Sequence, residues 1–449
     1  MPSFTRFQKK SSLLAGGIAV ALFFYFINPL GVAEKANIVL SVAALMISWW
    51  VSEALPMPVV ALIPLIVFPL LGIADLKTVA LSYGDQIVFL FMGGFMLGLA
   101  IEKWNLHRRI ALGIVRITGT SGDRIVLGFI LATGFISMWI SNTATTMMMF
   151  PIALSVIHVM KDTGNGTGNF KHFSLAMMLS IAYASNFGGI ATIVGTPPNV
   201  VFVGFYEKHY GNVSFVEWMS LCMPISILLL ISLYLVLTKF LFPNRILSSE
   251  AARQYINNEY KSLGPLSYAE KRVMIVFVIT ALLWIFKDVI NELQSYVKLD
   301  DTIIALLCAM ALFIWPSGTN KHFGLNETEE HDFHGGLLEW SDTRKMAWGI
   351  LLLFGGGLAL AAQLEKTGLI KQLGEWLSHF AGGGFTLVLM VTVLTIFISE
   401  VMSNIAQVIV FTPVVCSLGE AVGMNPLILG LAMTLASSCA SMMPLASTP

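Results

Sequence analysis

Charge is what this chain has least of. Asp, Glu, Lys and Arg make up 12% of its 449 residues, about half of what soluble domains carry. The 26 basic and 26 acidic residues cancel, so no basic surface points to nucleic acid. Cysteine is scarce too: Cys222, Cys308, Cys416 and Cys439 all fall in apolar segments without metal-ligand spacing. They read as buried thiols, not as a disulfide or zinc framework. A soluble enzyme with a charged surface does not fit this composition.

What remains is apolar. Hydrophobic residues make up 56% of the chain, and several runs approach or reach the roughly 20 residues that a helix needs to cross about 30 Å of hydrocarbon. The first run follows Arg6, Lys9 and Lys10. It is long and lacks a small-residue cleavage pattern, so it reads as a retained span and not as a leader peptide. Spans are expected near 13–33, 36–54, 56–73, 85–104, 172–206, 216–243, 271–291, 302–315, 346–366 and 426–449. The fold class is an all-α polytopic protein of the lipid bilayer. Two polar stretches interrupt the spans. Residues 243–271 are expected to hold a surface linker helix. Residues 316–345 contain Glu330, His331, Asp332 and His334; these read as a solvated loop, with a metal cluster as the alternative, because no ligand spacing there is specific.

The sequence repeats itself. "FMGGFMLGLAIEKWNL" from Phe91 matches "FGGGLALAAQLEKTGL" from Phe354. "FISMWISNTA" from Phe135 matches "FISEVMSNIA" from Phe397, and "ASNFGGIATIVGTPP" from Ala184 weakly matches "ASSCASMMPLASTP" from Ala436. Glycine-rich packing helices would explain the first match alone; three matches in the same order at nearly constant offset make a repeat. With the N-terminus in the cytoplasm of an inner cell membrane, the larger share of Lys and Arg falls on cytoplasmic segments, Lys103, Arg108, Arg109, Arg116 and Arg124 among them, as the positive-inside rule requires. Glu102 and Glu365 then end their helices on opposite sides. The repeats are inverted, an arrangement that places a site at the midplane of secondary transporters. On this reading residues 1–84 and 207–345 are scaffold helices and surface linkers. Residues 85–206 and 346–449 are the two core repeats, with re-entrant hairpins at 123–160 and 385–420.

The hairpins follow from length. The apolar run 125–160 would make a helix of about 54 Å at 1.5 Å per residue, too long for one crossing. It must break where polar residues tolerate it, and Ser141, Asn142 and Thr143 are good helix starters. The same holds at Ser403 and Asn404, and at Thr196-Pro197, where proline suits a first helical turn and Gly188, Gly189 and Gly195 permit an unwound approach. Thr448-Pro449 repeats that pattern. Irregular backbone at membrane depth survives only against protein or a wet cavity. Four half-helix starts are therefore expected to converge. Their N–H groups suit an anion; unwound carbonyls with Ser and Asn oxygens suit a hard monovalent cation. None of these segments contains Lys or Arg. Packing alone is the competing explanation for Thr145 and Thr146.

These paired motifs resemble the divalent anion/sodium symporters, which carry dicarboxylates, citrate or sulfate. The resemblance covers nearly the whole chain. It implies an ion-transporter-like fold of elevator type, a homodimer, a small divalent anion as substrate, and sodium as the coupled ion at two sites. Carried over, Ser141, Asn142, Thr143, Thr196, Pro197, Ser403, Asn404 and Thr448 would meet substrate. Ser137, Ser141, Asn142 and Gly195 would hold one sodium, and Ser399, Asn404 and Ser447 the other. Ile405 departs from the pattern in lacking a hydroxyl, and Gln407 and Val408 stand where threonines are expected. An Asn and a last helix expected after the second Thr-Pro are missing, so the chain looks cut short.

Other readings stay open. Glu400 beside the second tip is either a proton carrier or a helix-end acid. "GTSGD" at 119–123 superficially resembles a nucleophile turn, but it lies at a charged helix end, and no His sits on a partner span at matching depth. A channel is less compatible with broken inverted repeats than alternating access is. The expected activity is sodium-coupled symport of a C4 dicarboxylate such as succinate. A sodium-independent dicarboxylate exchanger and a sulfate transporter are the alternatives.

Overall fold

The computed structural model describes residues 2–163, 169–244, 250–294, 296–318, 335–379 and 384–439. Among them the regular elements are all helical. Among the described residues, eight helices are long and apolar enough to cross a membrane. Their exposed faces are apolar where a soluble protein's would be charged. Helix Phe215–Leu235 exposes Leu221, Ile225, Leu228 and Ile231, and helix Tyr268–Leu293 exposes Ile275, Ile279, Leu282 and Phe286. That outward stripe at helical spacing is what a hydrocarbon solvent selects.

The long run 125–160 is indeed two helices. Gly122–Ser137 ends, residues 138–141 turn, and Asn142–Thr163 begins. The later run behaves likewise: Phe385–Ser399, a turn at 400–403, then Asn404–Ala421. The segment 172–206 is broken as well, into Phe170–Gly189 and Pro197–His209. Other boundaries differ from expectation. The first helix runs Pro2–Ile27 and stops before Asn28, which has φ 43°. The segment 56–73 is two short helices, Met57–Val60 and Ile63–Leu70, each with proline in its first turn, because proline favours helix starts over helix interiors. Three helices had no long apolar run to betray them: Leu76–Leu81, Leu106–Thr118 and Leu369–Ser378. The order of long helix, short amphipathic helix, half-helix, turn, half-helix and helix therefore occurs twice, from Gln86 and from Trp348.

The chain divides into two compact units. One comprises 90–196 and 214–346 and contains the first hairpin. Helix Phe170–Gly189 packs along both hairpin helices. Behind the tip, Trp139 lies edge-on to Phe277 at 4.8 Å and stacks on Phe215, which stacks in turn on Trp284 at 4.7 Å. Surface helix Glu250–Ser262 does lie in the polar stretch 243–271. It is tied to Leu106–Thr118 by Arg108–Glu259 at 2.6 Å and by Arg116 over Tyr260.

Arg109 behaves differently from the surface cation that the sequence suggests. It is buried, with Nε donating to Glu270 Oε1 at 2.9 Å and its other nitrogens to the carbonyls of Leu263 and Gly264. The Glu270 carboxylate beside it pushes its pKa above the ordinary value. Glu270 also closes a capping box with Ser267 at the start of Tyr268–Leu293, so one carboxylate fixes both a helix start and a buried arginine. Lys287 and Asp301 pair at 3.0 Å between Tyr268–Leu293 and Asp301–Ile314.

The second unit comprises 1–89, 197–213 and 347–449, described here up to 439. Its centre is helix Trp348–Lys366, whose glycine face takes Tyr83 and Ala61. Helix Asn404–Ala421 packs against Leu369–Ser378, Pro426–Ser437 and Pro197–His209. His209 Nε2 meets Glu365 Oε2 at 2.6 Å.

Candidate substrate and cation sites at the hairpin tips

The first tip gathers oxygen. Ser137 ends the incoming half-helix and Asn142 starts the outgoing one. The Ser137 hydroxyl lies 2.8 Å from Asn142 Oδ1 and 2.7 Å from the Ser185 carbonyl oxygen. Both are acceptors and the hydroxyl has one proton, so one oxygen is always left underserved. Asn142 Nδ2 donates to Asn186 Oδ1 at 3.0 Å, which orients the Asn142 oxygen toward Ser137. Thr146 donates to the Ser185 hydroxyl at 3.0 Å. Ser141 Oγ accepts from the Ala144 N–H at 3.4 Å, a loose N-cap of the kind its residue type foretold.

The unwound stretch 190–196 closes on the same place. A Cβ at Gly195 would collide with the Gly189 carbonyl oxygen and stand 3.0 Å from the carbonyl oxygens of Ser137 and Met138. A Cβ at Gly189 would collide with Asn142 Oδ1. Only glycine lets these backbone segments approach so closely. The Thr192 hydroxyl donates to the Met138 carbonyl, holding the stretch against the tip. Carbonyl oxygens of 137, 138, 185 and 189 thus lie with the Ser137 and Asn142 side-chain oxygens in one neighbourhood. Every donor is neutral. Such a set suits a hard monovalent cation, because unwound carbonyls and half-helix C-terminal ends offer negative dipole without a carboxylate. Among the described residues, no three His, Cys, Asp or Glu side chains gather to hold a metal ion.

The structure therefore brings Ser137, Asn142 and Gly195 together. Ser141 caps the helix, Thr143 is half-buried on its first turn, and Thr196 is buried at the end of the unwound stretch. Pro197 opens helix Pro197–His209. Sequence reasoning missed Ser185, Asn186 and Thr192. A signal existed: Ser185-Asn186 is a third Ser-Asn pair, but it lies inside the end of helix Phe170–Gly189 and does not start a helix as the other two pairs do.

The second tip has the same backbone plan and different side-chain bonding. Ser399 turns its hydroxyl back to the Ile396 carbonyl at 2.8 Å. Ser403 precedes the helix as N-cap without a side-chain bond. Asn404 Oδ1 is buried and has no hydrogen-bond partner among the described residues. Glu400 is buried at the end of the incoming half-helix. Ser447 and Thr448 lie outside the described residues, as do Glu330, His331, Asp332 and His334.

A cavity of about 380 Å³ adjoins the first hairpin. Its polar side is formed by His107, Arg108, Thr145, Ser155, Tyr255 and Glu259, and it is large enough for several waters. His107 is buried, which lowers its pKa; its Nδ1 lies 3.1 Å from the Ile101 carbonyl oxygen.

Lipid-facing helices, half-helices broken inside them and an oxygen-lined break define a polytopic membrane protein of the transporter class. The comparisons agree. Residues 8–449 match the family described as "Sodium:sulfate symporter transmembrane region", and the chain belongs to that family of divalent anion/sodium symporters. It is 34% identical over 443 residues to a "Sodium-dependent dicarboxylate transporter SdcS" of Staphylococcus saprophyticus, an alignment covering 97% of this chain and 83% of that protein. It is 35% identical, with the same coverage, to the protein of that name from Staphylococcus aureus strain NCTC 8325. The protein is a transporter and not an enzyme.

Proposed function

We propose that this transporter couples sodium influx to uptake of a C4 dicarboxylate such as succinate, by alternating access. The observation that carries the reading is the neutral oxygen cluster around Asn142 and Gly195. Sodium is cargo here. Bound among the carbonyls of 137, 138 and 189, it would place a positive charge beside the N-terminus of Asn142–Thr163. The free N–H groups and Thr143 hydroxyl of that helix start then favour a carboxylate, and the cation offsets the carboxylate's charge in a place without Lys or Arg. Bound anion and bound cation each make the other's site better, which is the basis of coupling. The names of the two staphylococcal relatives support both cargoes.

Ser399, Asn404 and Ser447 would hold a second sodium. Ser403, Asn404, Pro197 and Thr448 would contribute to anion binding with Ser141, Asn142, Thr143 and Thr196. Residues 85–206 and 346–449 act as inverted repeats, with 1–84 and 207–345 as scaffold. The protein works as an elevator-type homodimer in the cell membrane, N-terminus in the cytoplasm.

The test is uptake into proteoliposomes of labelled succinate, citrate and sulfate, with and without an inward sodium gradient. Concentrative succinate uptake only with sodium supports the proposal. Succinate counterflow that ignores sodium would replace symport with exchange. Sulfate uptake as strong as succinate uptake, with Thr143→Ala altering neither, would overturn the substrate assignment.

A further inference from the structure

The two tips share a backbone plan, yet they differ in how their polar atoms are satisfied. At the first tip Asn142 Oδ1 faces the Ser137 hydroxyl and Asn142 Nδ2 is bonded to Asn186. At the second tip the serine hydroxyl points elsewhere, and three buried oxygens have no hydrogen-bond partner among the described residues: Asn404 Oδ1, Gln407 Oε1 and Ser438 Oγ. Gln407 and Ser438 are each 1% exposed. Buried polar oxygens without partners are costly, and native proteins rarely keep them without a ligand, ion or water.

Their placement is consistent. Gln407 lies one turn beyond Asn404 on helix Asn404–Ala421, a spacing that puts both side chains on one face. Its amide is not free to turn: Nε2 donates to the Thr395 carbonyl at 3.0 Å. Thr395 lies one turn before Ser399 on the incoming half-helix. Thr395 with Gln407 therefore forms a rung across the hairpin, one turn from Ser399 and Asn404 at the tip. The bond to Thr395 uses the amide's nitrogen and leaves its oxygen as the group in need of a positive partner. Ser438 caps helix Pro426–Ser437, which packs on both hairpin helices. In the repeat it stands where Asn186 stands beside the first tip.

We infer that Gln407 is a cation-binding residue of the second tip, its Oε1 joining Asn404 Oδ1 and Ser438 Oγ around a sodium ion. This rests on the proposed sodium coupling and adds a ligand to it. Thr145, the matching residue of the first tip, offers a hydroxyl in place of an amide carbonyl, and its Oγ1 is likewise buried without a hydrogen-bond partner among the described residues. The two sodium sites are therefore unequal: Asn142 Oδ1 faces the Ser137 hydroxyl, whereas Asn404 Oδ1, Gln407 Oε1 and Ser438 Oγ have no hydrogen-bond partner among the described residues.

The experiment uses the full-length protein purified in detergent and in proteoliposomes. Sodium is titrated against succinate uptake and, without succinate, against the thermal unfolding midpoint. For Gln407→Leu the expected result is about a tenfold rise in the sodium needed for half-maximal uptake, equal to about 1.4 kcal/mol at one site. A lower Hill coefficient and a smaller sodium-induced rise of the midpoint should accompany it. For Gln407→Glu, which keeps an oxygen there and adds charge, the sodium requirement should fall below that of the parent. A structural role alone would lower the sodium-free midpoint of both variants and leave their sodium dependence as in the parent; that result overturns the inference. Should Gln407→Leu not fold, Gln407→Glu decides: an unchanged sodium requirement overturns it. A parent protein indifferent to sodium in both assays would instead defeat the coupling on which the inference rests.

Discussion

Gly195→Ala is the sharpest perturbation of the first tip. The added methyl would collide with the Gly189 carbonyl oxygen and lie 3.0 Å from the carbonyl oxygens of Ser137 and Met138. All three are backbone atoms, so no rotamer change makes room. Either the unwound stretch retreats or the tip opens. Overpacking of this kind costs about 1–3 kcal/mol. The larger consequence is local, because the same three oxygens are those offered to the cation. Losing even one such contact to a charged group removes about 1.5–3 kcal/mol. The sodium requirement should therefore rise roughly ten- to a hundredfold, far more than the loss of stability suggests. Gly113→Ala is the control. It sits mid-helix in Leu106–Thr118 with its nearest neighbour, Tyr260, at 3.9 Å, so alanine there should stabilise by about 0.5–1 kcal/mol and leave sodium dependence alone. The assay is the sodium titration of the unfolding midpoint, repeated for uptake. A folded Gly195→Ala protein with the parent's sodium requirement would refute the cation assignment at this tip.

Arg109→Gln strands the carboxylate of Glu270, whose side chain is 9% exposed, and should cost about 3–5 kcal/mol; Arg108→Gln, at a half-exposed pair, should cost under about 1 kcal/mol. Equal midpoints for the two variants would refute the burial argument. Burial holds the His107 pKa below its ordinary value, so the unfolded chain takes up that proton first as pH falls. The resulting stability is present above about pH 6.5 and lost below it. The unfolding midpoint should fall between pH 7.5 and 5.5, and less so in His107→Gln; identical slopes would remove His107 from the account. Cysteines introduced at Lys103 and Lys366 should label from opposite sides of intact cells, and labelling from one side would defeat the inverted orientation.

The sequence alone located the breaks. A run such as 125–160 is too long for one crossing, and Ser-Asn or Thr-Pro marks where the helix can restart, so chain length and capping chemistry suffice. Membrane class was equally legible, since apolar runs that long have no other solvent. The short amphipathic helices Leu106–Thr118 and Leu369–Ser378 escaped because their apolar residues are spaced around a turn instead of contiguous. Arg109 looked like a surface charge because nothing local announces that Glu270, over 160 positions away, reaches it.

Which oxygens face one another was beyond the sequence. Ser185 and Asn186 join the first tip because helix Phe170–Gly189 packs along the hairpin, and Gly195 matters because three backbone segments meet there. The tips read as near twins, "FISMWISN" beside "FISEVMSN". Yet Ser137 bonds across its turn while Ser399 bonds back along its own helix. A hydroxyl's direction is settled by which acceptors the surrounding helices bring within 3 Å, and that is a property of tertiary packing.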